Sequence, residues 1–144
     1  MSGSPKKFEP RIVALYCANA LEPGADLAAA ARAARGCAVR PVLLPCSSKI
    51  ELPHLLKLLA EGADAVQVIA CPVENCRFLV GSLRAEKRVA RGRELLASIG
   101  LGEERLGLAR GRGLTVREFM AIFEDRAGLV RGLGKNPIIG EVNK

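Results

Sequence analysis

The chain has 144 residues, 49% of them hydrophobic and 26% charged, with a net charge of +7. These values suit one folded domain with a modest core and exclude a disordered chain. No apolar run approaches the roughly 20 residues needed to span a bilayer, and Met1 to Pro10 is polar with no apolar signal region. A protein that neither spans a membrane nor is exported by a visible signal is therefore expected, with a cytoplasmic location.

Taken in chain order, the apolar run Arg11 to Tyr16 predicts a first strand. Pro23-Gly24-Ala25-Asp26 then leads into an Ala-rich segment of high helix propensity that stops at Gly36. A second strand is predicted over Val39 to Leu44. Leu52, Leu55, Leu56 and Leu59 follow at i, i+3, i+4 and i+7, one apolar face of a helix that Gly62 ends. Ala65 to Ala70 is continuously apolar apart from Gln67, the pattern of a strand buried on both faces of a parallel sheet. A long helix is predicted over Ser82 to Ile99, its stripe formed by Ala85, Val89, Gly92, Leu96 and Ile99. The fourth strand is expected at Arg105 to Ala109. Thr115 then caps a last helix, with Glu118 completing a capping box and Phe119, Ile122 and Phe123 facing inward. Four strand-helix alternations imply an α/β fold, a flavodoxin-like parallel sheet of order 2-1-3-4 with helices on both faces. The expected organisation is a polar arm at 1–10, a single α/β domain at 11–134 and an extended tail at 135–144.

The five cysteines are the informative residues. An odd number in a chain without an export signal points to metal or redox use in a reducing compartment rather than to a disulfide framework. Cys17 follows the first strand, Cys46 the second and Cys71 the third, and Cys76 lies five residues beyond Cys71. In open α/β sheets ligands sit outside the carboxyl ends of the strands, so these four thiols converge on one sheet edge. Four thiolates suit a 2Fe-2S cluster, a 4Fe-4S cluster or structural zinc, and the spacing does not separate the three. Cys37 precedes the second strand. Eight extended residues at about 3.3 Å each separate it from Cys46 by roughly 26 Å, so it is expected at the opposite edge as a small hydrophobe.

Several ordered stretches carry a family resemblance: Gly24-Ala25-Asp26-Leu27-Ala28, Cys46-Ser47-Ser48-Lys49, Glu61-Gly62-Ala63-Asp64-Ala65, Cys71-Pro72-Val73-Glu74-Asn75-Cys76-Arg77-Phe78 and Gly81 through Arg88. Together they resemble the delta subunit of methyl-viologen-reducing hydrogenase, from about Ile12 to Ile99. The resemblance implies a small iron-sulfur protein with a 2Fe-2S cluster. Such a protein relays electrons between a hydrogenase, formate dehydrogenase or other oxidoreductase of anaerobic metabolism and a flavin-containing heterodisulfide-reductase-type subunit. The family opens its first motif with Cys-x-x-Cys, whereas Cys17-Ala18-Asn19-Ala20 keeps only the first cysteine. Cys17, Cys46, Cys71 and Cys76 still make a full ligand set.

Two other readings of the cysteines stay open. In one, Cys71 and Cys76 form a reversible disulfide that Cys46 relays; in the other, the domain is a structural zinc adaptor. Arg84, Lys87, Arg88 and Arg91 lie on one side of the long helix, and Arg77 extends that patch toward the cysteine loop. The patch is either a solvated face or a surface that steers an acidic redox partner. Only five residues are aromatic, Phe8, Tyr16, Phe78, Phe119 and Phe123, too few to favour stacking on nucleic acid. His54, the one histidine, is expected on the solvent side of its helix, which leaves no base for a catalytic triad. Gly111-Arg112-Gly113 either lines the site or forms a plain turn, and no nucleotide-binding glycine pattern occurs.

Overall fold

The run Ala65–Ala70 forms a strand whose six residues are all buried, as its nearly unbroken apolar character requires. It lies inside a four-stranded parallel sheet of order β2-β1-β3-β4 in the computed structural model, which describes residues 9–17, 20–33, 37–44, 51–70, 81–134 and 136. The elements are β1 (Arg11–Cys17), α1 (Leu27–Ala33), β2 (Ala38–Leu44), α2 (Leu52–Ala60), β3 (Ala65–Ala70), α3 (Gly81–Ser98), β4 (Leu106–Arg110) and α4 (Val116–Arg131). The expected strand order and α/β class are thus observed.

Strand alternation sorts the core into two layers. Val13, Leu15, Val66, Val68 and Leu106 turn to one face and meet Leu55 and Leu59 of α2 with Val89 and Leu96 of α3. Ala14 and Ile69 turn to the other face and meet Leu27 of α1 with Phe119 and Phe123 of α4. Tyr16 stacks edge-on against Phe119 at 5.2 Å, and Phe119 against Phe123 at 4.9 Å. Each fully buried leucine contributes about 1.5–3 kcal/mol over an exposed one, so the two layers hold the helices on the sheet.

Local chemistry fixes the helix ends and spacing. Thr115 Oγ1 accepts from the Glu118 amide and Glu118 Oε1 accepts from the Thr115 amide, both at 3.1 Å, which is the expected capping box at the start of α4. Gly92 lets α3 sit close over the sheet. A Cβ there would lie 2.5 Å from Leu106 Cδ2 and 3.1 Å from Leu52 Cδ1.

Two expectations shift. Ile99 continues the apolar period of α3 but is 65% exposed, because the helix stops at Ser98 and the chain turns at Gly100, where φ is 80°. Arg105, expected as the first residue of the fourth strand, instead closes a 3-10 turn over Glu103–Arg105 and is buried. Its Nε donates to Leu101 O at 2.9 Å, and its two terminal nitrogens donate to Asp64 O at 3.1 Å and Gly134 O at 2.9 Å. Those carbonyls offset the burial of a charge that a strand start would have left in water.

Candidate functional site

All four strands run the same way, so their carboxyl ends form one rim. Cys17, the last residue of β1, is in register with Leu44, the last residue of β2. Ala70, the last residue of β3, is in register with Arg110, the last of β4. The chain passes from β1 outward to β2 and then crosses back to β3 on the other side of β1, so the strand order reverses between β1 and β3. A crevice for a ligand forms at such a reversal. Cys17 sits at its lip, 4% exposed, and by strand alternation it turns to the same face as Val13 and Leu15, the face covered by α2 and α3.

Cys46, Cys71, Cys76 and Arg77 lie outside the described residues. In sequence Cys46 stands two residues beyond Leu44, and Cys71 follows Ala70 directly. Among the described residues no three His, Cys, Asp or Glu side chains are grouped to hold a metal ion. Cys17 is the one member of the candidate ligand set that they include.

The electrostatics of the rim favour negative charge. α3 begins at this rim on the face of Cys17, with Glu86 of its second turn paired to Arg110 at the end of β4, and it has no acidic residue in its first turn. Its free amides and aligned dipole leave partial positive charge there, whereas α2 starts on an acidic N-cap, Glu51, whose side chain makes no cap hydrogen bond. Asp26 is already engaged, its Oδ1 accepting from the Ala29 amide at 3.0 Å, and Glu118 is held in the capping box.

Cys37 is placed at the opposite rim, as expected. It directly precedes Ala38, the partner of Arg11 at the start of β1, and is buried with Ile12, Ala65, Ala127 and Val130. Burial pushes its thiol above the ordinary value and Glu124 adds to that, while Arg131 opposes. The thiol stays protonated and behaves as a small apolar group. His54 is exposed on α2, also as expected. Arg84, Lys87 and Arg91 are exposed on α3, Arg91 in an ion pair with Glu94 at 3.2 Å. Arg88 is half-buried.

Two polar networks were not legible in the sequence. At the rim opposite Cys17, buried Asp64 accepts from the Arg11 amide at 2.9 Å and from the Asn136 amide at 2.8 Å. The Asn136 side chain donates to Leu59 O and Ala63 O. Along β4, Glu104 accepts from Arg93 of α3 at 3.4 Å and from Arg126 of α4 at 3.0 Å, so one carboxylate joins helices on opposite faces of the sheet. The one available signal was Gln67, a polar residue inside an apolar strand.

The region from Ile12 to Gly134, which holds the helices and all of the sheet but its first residue, matches the family model described as methyl-viologen-reducing hydrogenase, delta subunit, over residues 12–134. The chain belongs to that family. It is similar to the vhu iron-sulfur subunit of the F420-non-reducing hydrogenase of Methanococcus maripaludis, at 34% identity over 130 residues, covering 90% of this chain and 97% of the relative. The corresponding vhu iron-sulfur protein of Methanocaldococcus jannaschii is 32% identical over 131 residues, covering 91% and 98%. Part of a ferredoxin/F(420)H(2)-dependent CoB-CoM heterodisulfide reductase polypeptide of Methanosarcina acetivorans is also similar, at 30% identity over 123 residues. That match covers 81% of this chain but 16% of the reductase polypeptide, so a domain of the delta-subunit family is built into a longer chain. No helix among the described residues is long and apolar enough to cross a membrane.

Proposed function

We propose that the chain is an electron-transfer subunit of an oxidoreductase complex, carrying one iron-sulfur cluster on Cys17, Cys46, Cys71 and Cys76. The observation that carries this reading is Cys17 at the strand-order reversal, flanked by β2 and β3, whose sequences each continue into a cysteine within two residues. Consecutive Cα atoms are about 3.8 Å apart and adjacent strands about 4.8 Å, so chain connectivity keeps Cys46 and Cys71 within reach of one small cofactor. The dipole of α3 suits the donor set, since four thiolates around iron leave a net negative charge. A bound cluster supplies one-electron uptake and release, and its type is proposed as 2Fe-2S.

The chain's own residues supply ligands, a positive field and partial burial. The family relatives named as iron-sulfur hydrogenase subunits support the cofactor, and the matching segment of a heterodisulfide reductase polypeptide supports one partner. The partners proposed are a hydrogenase, formate dehydrogenase or similar oxidoreductase on one side and a flavin-containing heterodisulfide-reductase-like subunit on the other. A cytoplasmic location accords with the reduced thiols.

Anaerobic purification followed by a visible spectrum and iron, sulfide and zinc analysis tests the reading. Iron and acid-labile sulfide in equal amounts, at about two per chain, with visible absorption that bleaches on reduction, is the expected result. Stoichiometric zinc without sulfide would instead make the domain a structural adaptor. A metal-free protein with a Cys71-Cys76 disulfide would make it a thiol redox protein.

A further inference from the structure

Positive charge is concentrated on one helix. α3 carries five basic side chains, Arg84, Lys87, Arg88, Arg91 and Arg93, against two acidic ones, Glu86 and Glu94, whereas α4 carries three of each sign. Both acids of α3 are engaged. Glu86 pairs with Arg110 at 3.1 Å and Glu94 with Arg91 at 3.2 Å. Arg93 is turned toward β4, where it meets Glu103, Glu104 and Leu106 O. Arg84 and Lys87 are exposed and have no ion pair among the described residues.

Helical geometry places this charge. Ala85, Val89 and Leu96 turn toward the sheet, so Arg84, Lys87 and Arg91 share the outer side, away from the Glu86–Arg110 contact. The first turn of α3 lies at the rim of Cys17 and on the same face. Asp26 and Glu118 stand at the starts of α1 and α4, on the opposite face of the sheet. Exposed basic side chains of this kind add little to folding stability. They do raise association rates with an oppositely charged surface, most of all for short-lived complexes.

We propose that the outer face of α3, centred on Arg84, Lys87 and Arg91, is the docking surface for an acidic face of the protein that exchanges electrons with this domain. The inference rests on the electron-carrier reading above. Charge complementarity chooses the occupant: an acidic redox protein meets here the exposed charge of Arg84 and Lys87, which no ion pair among the described residues offsets, on a helix that begins at the cysteine rim.

An acidic plant-type ferredoxin serves as the probe, with binding measured by calorimetry and reduction of the cluster-bearing protein followed by stopped flow. The variant R84E/K87E is compared with R32E/R40E, which changes net charge equally but at the end of α1 and on β2, toward the opposite rim. At about 10 mM salt R84E/K87E should weaken binding and slow reduction by about tenfold or more, and the difference should collapse near 0.5 M. Reduction by methyl viologen radical, which needs no protein docking, should not slow. R32E/R40E should stay within about twofold of wild type under the same conditions. Wild-type binding by R84E/K87E at low salt would overturn the proposal, as would an equal loss in R32E/R40E, which would make the effect one of total charge. A wild-type protein that lacks a visible chromophore yet shows the α3-dependent binding would overturn the cluster reading and leave the surface standing.

Discussion

Arg126 of α4 reaches across β4 to Gln67 of β3, donating from Nε to Oε1 at 2.8 Å. The path passes over Gly107, the register partner of Gln67, and a Cβ at Gly107 would collide with the guanidinium. Burial lowers the Arg126 pKa while Glu104 opposes, and carboxylate and amide oxygens surround the buried cation and offset its desolvation. Gly107→Ala should therefore expel Arg126 and deprive Gln67 Oε1 of its donor, while Gln67 Nε2 keeps its bond to Val68 O, at about 1–3 kcal/mol. Urea unfolding of Gly107→Ala, Arg126→Met and the double variant checks this. The second substitution should cost little once the first is made, and fully additive losses would show that the two residues do not act together.

Cysteine substitutions should divide by rim. Cys17→Ser, Cys46→Ser or Cys71→Ser should abolish visible absorption and acid-labile sulfide. Cys37→Ala should retain both, since that thiol stands at the other end of β2. A bleached Cys37→Ala protein would mean that the ligand set has been misassigned.

The raised Cys37 pKa carries a pH signature. Folding favours its protonated form, so its contribution to stability is full below the unfolded thiol value, about 8.5, and falls as pH rises through it. The stability difference between wild type and Cys37→Ala should thus be constant from pH 6 to about 8 and shrink by pH 10. Denaturant titrations at fixed ionic strength give that difference directly. A gap that widens with pH would reverse the sign and refute the buried neutral thiol.

Asn136 should matter beyond its place near the end of the chain. Its side chain satisfies the carbonyls of Leu59 and Ala63, and its amide reaches Asp64. Asn136→Ala removes two buried hydrogen bonds, to Leu59 O and Ala63 O, and should cost about 1–3 kcal/mol. Asn136→Asp adds a carboxylate beside carbonyl oxygens and should cost more. Equal midpoints for all three proteins in urea would remove the residue from the stability account.

Legibility followed range along the chain. β3 could be read because six successive residues carry its burial, and Cys17 could be placed because it ends an apolar run. Ile99 misled because the period of α3 extends past the point where sheet remains beneath it. Arg105 misled more deeply: a charge at the start of a run reads as exposed, yet its acceptors belong to Leu101, Asp64 and Gly134, far apart in sequence. No local pattern reports a partner 41 residues away. The Asp64–Asn136 contact, 72 residues apart, was hidden for the same reason. At the rim, Cys17 was placed from its position alone, while the dipole of α3 required the topology.

One carboxylate fastens the entry and the exit of the domain. Asp64 holds the amide of Arg11, where the first strand begins, and that of Asn136, just past the last helix, so both ends leave side by side, across the sheet from Cys17. A domain wired this way can be spliced into a host polypeptide as a single plug, its two connections emerging together and its thiol edge left clear. A segment similar to this domain makes up 16% of a heterodisulfide reductase polypeptide. The same geometry recommends attaching labels, surfaces or electrodes through the Arg11 and Asn136 ends, which would leave the thiol edge free to exchange electrons.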